Sequence, residues 1–397
     1  MPLENPWVFL SVWMGAAFLA AVIALQLRVS VALMEVLVGI AMSHLLGMDQ
    51  PTEWMVFLGR MGSVTLAFLA GTEIDPRSFR HHLGSSLTIG FLSFLLPFGL
   101  IFLLAHSTLG WTPAQSVIAG IALATTSVAI VYTAVVEKGM QSTRFGQLLL
   151  TSCFVTDFAS VLFLGLFFSH WAPRSFLLLL CALLLLLALP LSLRPLLRWL
   201  RQSPVSEPEI KFLFFVLALL GALASVAQTE PVLPAYLAGV LVAKPFATDR
   251  ELVHRMRSLA YGLLTPFFFM KAGFHVSLHT LLYGSLPIFL LIGAKLLGKV
   301  AAVWPSLRLY RFSRQEALFG SLLTSGGLTF GLIAAHYGVA NGILGRKMYS
   351  QVTIAILLST LIPVIGASRL SLPPTGIREK TEEEREIAKP GEFEEEG

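Results

Sequence analysis

The stretch Gly120-Ile-Ala-Leu-Ala-Thr-Thr-Ser127 interrupts a long apolar run, and Gly320-Ser-Leu-Leu-Thr-Ser-Gly-Gly327 interrupts a second run in the same way. Both stretches are rich in small and hydroxyl-bearing residues. Matching interruptions in two halves of opposite orientation indicate transmembrane helices that are broken near the middle of the bilayer. Close packing of unbroken helices through small residues is the alternative interpretation.

The composition of the whole chain requires a bilayer around the protein. Hydrophobic residues make up 55% of the chain and charged residues 13%, too little polar surface for a water-soluble protein of 397 residues. The apolar runs have the length of about 20 residues at which a helix crosses a hydrocarbon core, whereas a barrel would show short alternating segments. Cys153 and Cys181 both lie in apolar runs, and their spacing indicates neither a metal site nor another cofactor.

Long apolar stretches predict about thirteen transmembrane helices, and so an all-α integral membrane protein. Their boundaries follow from where each run meets polar residues. The predicted spans are 7–27, 30–47, 54–72, 84–106, 114–135, 146–168, 175–192, 210–227, 232–244, 257–276, 279–305, 314–337 and 347–366.

Lysine and arginine are concentrated in one of the two sets of connecting loops. That set includes Arg194 and Arg201, while the other set holds only Arg174, Arg346 and Lys347. Because cytoplasmic loops carry the excess of positive charge, we expect the N-terminus outside and the C-terminus inside a bacterial inner membrane. The Glu-rich end of the chain, 370–397, is predicted to be a disordered cytoplasmic tail.

Ionisable side chains inside the spans are candidates for function, because a charge near the bilayer centre is costly. Arg60, Lys271 and Lys299 lie one to two turns from predicted helix ends, so we expect their long side chains to reach the interface. Glu35 is either a structural residue or a transport residue. The two remaining positions lie deeper, and they are Asp157 and Lys295.

Asp157 lies near the middle of its span on a side chain too short to reach water. A carboxylate there can bind either a proton or a cation, and competition between the two is the chemistry of a cation/proton exchanger. Lys295, at similar depth, is the predicted basic partner. A buried Asp157 and Lys295 pair that only fixes helix packing is the alternative. The oxygen ligands predicted to complete a cation shell are Thr125, Thr126, Ser127 and Thr156.

Several motifs resemble those of one known family. Phe68-Leu-Ala-Gly-Thr-Glu-Ile-Asp-Pro76 resembles the signature at the end of its third helix, and Val155-Thr-Asp157 resembles its ion-binding carboxylate motif. Ser127-Val resembles its unwound crossing helix, and Gly293-Ala-Lys-Leu-Leu-Gly298 the helix with its basic partner. The family is the monovalent cation:proton antiporters, in the branch of the Thermus-type sodium/proton antiporters and the glutathione-gated potassium efflux systems.

The resemblance implies a homodimer that works by an elevator mechanism, with inverted repeats and two crossed broken helices. Residues 1–72 and 210–276 would form the dimerisation scaffold, and 84–168 and 279–366 the ion-translocating core. Residues 174–201 would form a linker helix. The second crossing break would contain Ser325, Gly326 and Gly327.

The chain departs from the family pattern at two places. Thr156 occupies the position of the first of two adjacent acidic residues in many electrogenic members, so we expect electroneutral exchange if Lys295 stays protonated. Gly327-Leu-Thr329 stands where several members have a glutamate, which leaves the identity of the bound ion open.

Three classes of function compete on this sequence. The first is an antiporter that exchanges Na⁺, Li⁺ or K⁺ for protons. The second is a sodium-coupled symporter of an organic anion, which would need a wide, polar substrate cavity. The third, a membrane-embedded hydrolase, lacks paired intramembrane aspartates and a His-Glu-x-x-His motif. No interleaved basic and aromatic stripe indicates a nucleic-acid partner, and lipid is the expected surrounding.

Overall fold

The structure, a computed structural model, describes residues 5–27, 29–45, 52–73, 83–140, 143–168, 181, 184–189, 207–227, 231–274, 276 and 285–368. Within these ranges the secondary structure is helical. The helices are α1 Pro6–Leu27, α2 Val31–Leu45, α3 Glu53–Thr72, α4 Leu83–Leu103, α5 Pro113–Ala124, α6 Val128–Glu137, α7 Arg144–Phe168, α8 Pro208–Val226, α9 Val232–Thr248, α10 Arg250–Leu259, α11 Thr265–Phe274, α12 Ser285–Leu309, α13 Arg314–Leu323, α14 Thr329–Ala340 and α15 Arg346–Ser368.

Two π-helical turns extend these helices. Leu104–Thr108 continues α4, and Ala260–Leu264 joins α10 to α11. The second turn makes one helix that begins at Arg250, earlier than the predicted start at 257. The first part of this helix is rich in charged residues, so the apolar run alone did not predict it.

Among the described residues, six helices are long and apolar enough to cross a membrane, namely α1, α3, α4 with its π-helical turn, α7, α8 and α12. Large apolar side chains of α1 such as Trp7, Phe18 and Leu25 are exposed, as expected for a helix that faces lipid. The chain is therefore a membrane protein. The predicted span 175–192 lies outside the described residues except for 181 and 184–189, so the total of thirteen stays a prediction.

The described helices pack in two groups. In the first group, α3 packs against α9 and α11, α2 packs against α11 and α1, and α8 packs against α9. In the second group, α4 packs against α5, α7 and α12, and α12 packs against α13 and α15. The roles predicted for these ranges, a dimerisation scaffold and a moving core, stay predictions. Most of the predicted linker helix 174–201 and the whole tail 370–397 lie outside the described residues.

The second group contains two broken helices, formed by α5 with α6 and by α13 with α14. Both begin with the same capping motif, in which an N-cap hydroxyl and the side chain three residues later bond each other's backbone N–H groups. Thr112 and Gln115 form this motif before α5, and Ser313 and Glu316 form it before α13. The two broken helices therefore enter the protein through equivalent polar starts, as expected for repeated halves.

Candidate functional site

The first break lies within the stretch that the sequence singled out, and the second extends one residue beyond its stretch. The first break covers 125–127, where Thr125 is extended with φ −64° and ψ 158°. The second break covers 324–328. Each break is shorter than its small-residue stretch, because α5 continues to Ala124 and α13 continues to Leu323.

The breaks touch each other through hydrogen bonds. The backbone N–H of Ser127 donates to the carbonyl of Gly326 at 2.6 Å. The hydroxyl of Thr126 donates to the carbonyl of Thr324 at 3.0 Å. These bonds satisfy backbone groups that a broken helix leaves without partners. The prediction of two broken helices that cross is confirmed.

Gly327 is required by the close approach of the two breaks. A Cβ atom at this position would lie 2.2 Å from the carbonyl oxygen of Thr125 and 2.6 Å from its hydroxyl oxygen. At Gly326 the nearest atom, on Ile130, would lie at 3.4 Å, an ordinary contact. The second break can therefore approach the first only where residue 327 has no side chain.

The hydroxyl groups of the second break point back to their own helix. Thr324 Oγ1 donates to the carbonyl of Gly320 at 2.8 Å, and Ser325 Oγ donates to that of Ser321 at 2.8 Å. Its backbone carbonyls, in contrast, accept hydrogen bonds from the first break. The predicted residue Ser325 lies at the crossing, but its hydroxyl is already engaged.

Asp157 lies on α7 beside the crossing and is 2% exposed. Its Oδ1 atom is buried and accepts no hydrogen bond from the described part of the chain. The hydroxyl of the adjacent Thr156 donates to the carbonyl of Cys153 at 2.7 Å, and that of Thr125 donates to the carbonyl of Ala122 at 3.2 Å. Of the predicted oxygen ligands, these two are therefore engaged with their own helices.

A cavity of about 550 Å³ reaches Asp157 from one end of the molecule. Its buried end is formed by Asp157, Thr126 and Ser127, which the structure brings together as the sequence predicted. Residues of both helix groups line it, so the cavity lies between the groups. Its wall along α7 includes Gln147 and Thr151, and its mouth includes Glu73 and Arg257.

The basic residue at the first break is Lys299. Its Nζ donates to Thr126 Oγ1 at 2.7 Å and to Ser93 Oγ at 3.0 Å, and the side chain is fully buried. The expectation that Lys299 reaches the interface is wrong, because α12 continues to Leu309 and packs in the second group.

Lys295, the predicted basic partner, lies one turn earlier on α12. It is fully buried as well, but its Nζ has no hydrogen-bond partner among the described residues. The structure thus places Lys299, and not Lys295, in contact with the break. Both lysines fit the same span, and the sequence contained no signal that showed which one faced Thr126.

The mouth of the cavity carries an ion pair that sequence reasoning missed. Arg257 Nη2 lies 2.7 Å from Glu73 Oε1. Burial raises the pKa of the Glu73 carboxyl above its usual range, and the Arg257 guanidinium opposes that shift. Glu73 belongs to the signature motif. Arg257 lies at the predicted start of the span 257–276, and no motif in the sequence singled it out.

Lys271 also differs from expectation. It is 3% exposed, and its Nζ lies 3.0 Å from Nε2 of His336 on α14. Its side chain does not reach the interface, because α14 covers it. Arg60 is exposed, and Glu35 is buried on α2.

The chain is similar in sequence to known proteins. The family described as sodium/hydrogen exchanger, transmembrane, matches residues 14–371. A probable Na⁺/H⁺ antiporter 3 from Methanocaldococcus jannaschii is 26% identical over 80% of this chain and 84% of its own length. The Na⁺/H⁺-K⁺ antiporter GerN of Bacillus cereus is 24% identical over 87% of this chain and 90% of its own length.

A solved structure agrees with the fold. That of the sodium proton antiporter MjNhaP1 from Methanocaldococcus jannaschii superimposes with a TM-score of 0.68 at 15% identity, and covers 93% of this chain and 97% of that protein. The resemblance read from the motifs and the predicted antiporter fold, all-α with inverted repeats, are confirmed.

Proposed function

We propose that this chain, which belongs to the transmembrane sodium/hydrogen exchanger family, is a secondary antiporter that exchanges a monovalent cation for protons. One observation carries the proposal. Asp157 lines a cavity, and its buried Oδ1 atom accepts no hydrogen bond from a described residue. A buried carboxylate without such a donor is costly until it binds a proton or a cation.

The cation would bind between Asp157 and the first break. Hard monovalent cations prefer oxygen ligands, and the hydroxyls of Thr126 and Ser127 face the same cavity. Because Lys299 donates to Thr126, an arriving cation would compete with that ammonium for the hydroxyl oxygen. The relatives named above are named for Na⁺ and for K⁺, and both remain candidate substrates together with Li⁺.

Transport would follow from movement of the second helix group against the first. The cavity between them opens at the end that holds Glu73 and Arg257, which the loop charges assign to the cytoplasm. An elevator movement of the second group, within a homodimer held by the first, would carry Asp157 to the opposite side. Neither binding nor movement requires a covalent step.

The exchange would be electroneutral. Asp157 is the carboxyl group at the closed end of the cavity, and Lys299 keeps two hydroxyl acceptors that stabilise its ammonium form. If Lys299 stays protonated throughout, one cation moves in one direction and one proton in the other. An imposed membrane potential should then leave the steady rate unchanged in proteoliposomes.

Asp157→Asn tests the function directly. Reconstituted protein should dissipate a proton gradient on addition of NaCl, LiCl or KCl, and the Asn variant should not, because a neutral amide cannot take up and release a proton in exchange for a cation. Glu53→Gln, in the exposed first turn of α3, is the matched control and should retain exchange. Exchange by the Asn variant at the wild-type rate would refute the proposal. Sodium uptake without proton release would instead favour the symporter of an organic anion.

A further inference from the structure

Lys271 and His336 join the two helix groups on the side of the crossing away from the cavity. Lys271 lies near the end of α11, and His336 near the end of α14. Arg257 and Tyr261 at the cavity side precede α11, whereas Thr329 and Phe330, which also line the cavity, begin α14. Both helices therefore run from the cavity side toward the far side, where the contact lies.

A second hydrogen bond between the two helix groups lies beside it. Tyr349 Oη, at the start of α15, donates to the carbonyl of Ala272 at 2.8 Å. Ala272 is the residue after Lys271, so two successive residues of α11 hold two helices of the other group. These bonds join the two groups on the far side in the conformation whose cavity opens at the Glu73 end.

The Lys271 and His336 bond depends on the number of protons that the pair holds. At 3.0 Å, one nitrogen must donate and the other must accept, whichever tautomer the imidazole adopts. The pair can therefore carry at most one positive charge while the bond exists. A second proton converts the bond into repulsion between two cations.

The bond is placed where protons can reach it. His336 is only partly buried, while Lys271 lies beneath it. Both side chains make further interactions, so the bond is one part of a larger contact. On α2 and α3, which pack against α11, and on α15, which packs against α14, the charged or titratable side chains toward the far side are His44, Glu53, Arg60, Arg346, Lys347 and Tyr349.

We infer that Lys271 and His336 form a proton-sensitive latch, which holds the far side shut and opens when the far-side solution is acidic. The inference rests on the proposed exchange function, because a latch matters only if the groups move. A proton arriving from the far side would then break the Lys271 and His336 bond and free the two helix groups to separate on that side. No covalent step is involved.

Cross-linking tests whether the contact opens in each cycle. We expect Lys271→Cys combined with His336→Cys, joined by a short reversible thiol cross-linker, to lose exchange and to recover it on reduction. The two single variants treated identically are the controls for the native Cys153 and Cys181. Undiminished exchange by the cross-linked protein would refute the latch, provided that the wild type exchanges. A wild type without exchange would refute the proposed function instead.

Histidine replacement tests the proton sensitivity. In vesicles of defined orientation, wild-type exchange should accelerate as the far-side solution is acidified, because histidine is the side chain that gains a proton most readily near neutral pH. His336→Gln should reduce this acceleration at least about twofold, and adding Lys271→Met should change it little further, because the two residues act as one pair. His106→Gln is the matched control, since His106 bonds the Trp111 carbonyl at 2.9 Å within the second group. A wild-type response in His336→Gln, or an equal loss in His106→Gln, would overturn the inference.

Discussion

The two helix breaks look alike in the sequence but contribute differently to the crossing. The first break presents the side chains of Thr126 and Ser127 to the cavity. The second break turns its hydroxyls back to its own helix and presents carbonyls to its partner. Repeated halves can therefore share a backbone design while one of them supplies the side chains of the site.

The difference also determines which break is bonded to a basic side chain. Thr126 bonds both the carbonyl of Thr324 and the ammonium of Lys299, so one hydroxyl links the two breaks to a charge. A side chain at 325 that bonds its own helix offers no such link. The side chains of the candidate site thus come from the first break, while the second break supplies backbone carbonyls.

The largest effect is expected from Gly327→Ala. The added Cβ would lie 2.2 Å from the Thr125 carbonyl oxygen and would push the breaks apart. A displacement of this size in a reacting site can cost about a hundredfold in rate, so we expect at least about a tenfold loss of exchange. Gly326→Ala, whose Cβ meets Ile130 at 3.4 Å, is the matched control and should stay near wild type. Equal rates in the two variants would show that the breaks need not touch.

The two lysines of α12 provide the next test. Lys299→Met removes the buried ammonium that donates to Thr126 and Ser93, so the first break loses its charged hydrogen-bond donor. We expect about a tenfold loss of exchange. Lys295→Met, one turn away and equally buried, should lose less than about twofold because its Nζ bonds no described residue. The reverse order in proteoliposome assays would restore Lys295 as the basic partner.

The fold was predictable because it depends on length and periodicity. Apolar runs located the helices, and the small-residue stretches located both breaks, since these patterns reflect membrane thickness and backbone freedom. The helix start at Arg250 was missed because charged residues extend that helix beyond its apolar run.

The site was predictable only in part, because side-chain direction depends on packing. Asp157, Thr126 and Ser127 were selected by depth and chemistry, and they do share one cavity. The choice between Lys295 and Lys299 depends on which face of α12 meets the break. Lys271 was taken for an interfacial residue because nothing in the sequence shows that α14 covers it.

A smaller effect is expected when a single hydroxyl is removed from either break. Thr126→Val deletes the acceptor of Lys299 and the donor to Thr324, and should weaken apparent cation affinity by about threefold to tenfold, the value of one buried hydrogen bond. Ser325→Ala loses only a bond within its own helix and should change affinity less than about twofold. Rates measured against cation concentration give both values. A larger change for Ser325→Ala would mean that the second break also supplies a ligand.

The smallest effect concerns the cavity mouth, which leads to the first break only. Glu73→Gln leaves the Arg257 guanidinium without its partner, so cations approaching the cavity meet an uncompensated positive charge. For a partly exposed pair we expect about a twofold loss of apparent cation affinity, fading at high salt.

The pH dependence of that loss follows from Glu73 itself. Because burial raises its pKa, the wild-type carboxylate gains its proton at a higher pH than an exposed glutamate does as the solution is acidified. Protonated Glu73 resembles Gln, so the ratio of affinities between wild type and Glu73→Gln should approach one as pH falls and widen as pH rises. Proton competition at the binding site affects both proteins and cancels in this ratio. A ratio that stays constant across pH would show that the Glu73 charge does not act on cations entering the cavity, and the first break would then be reached by another route.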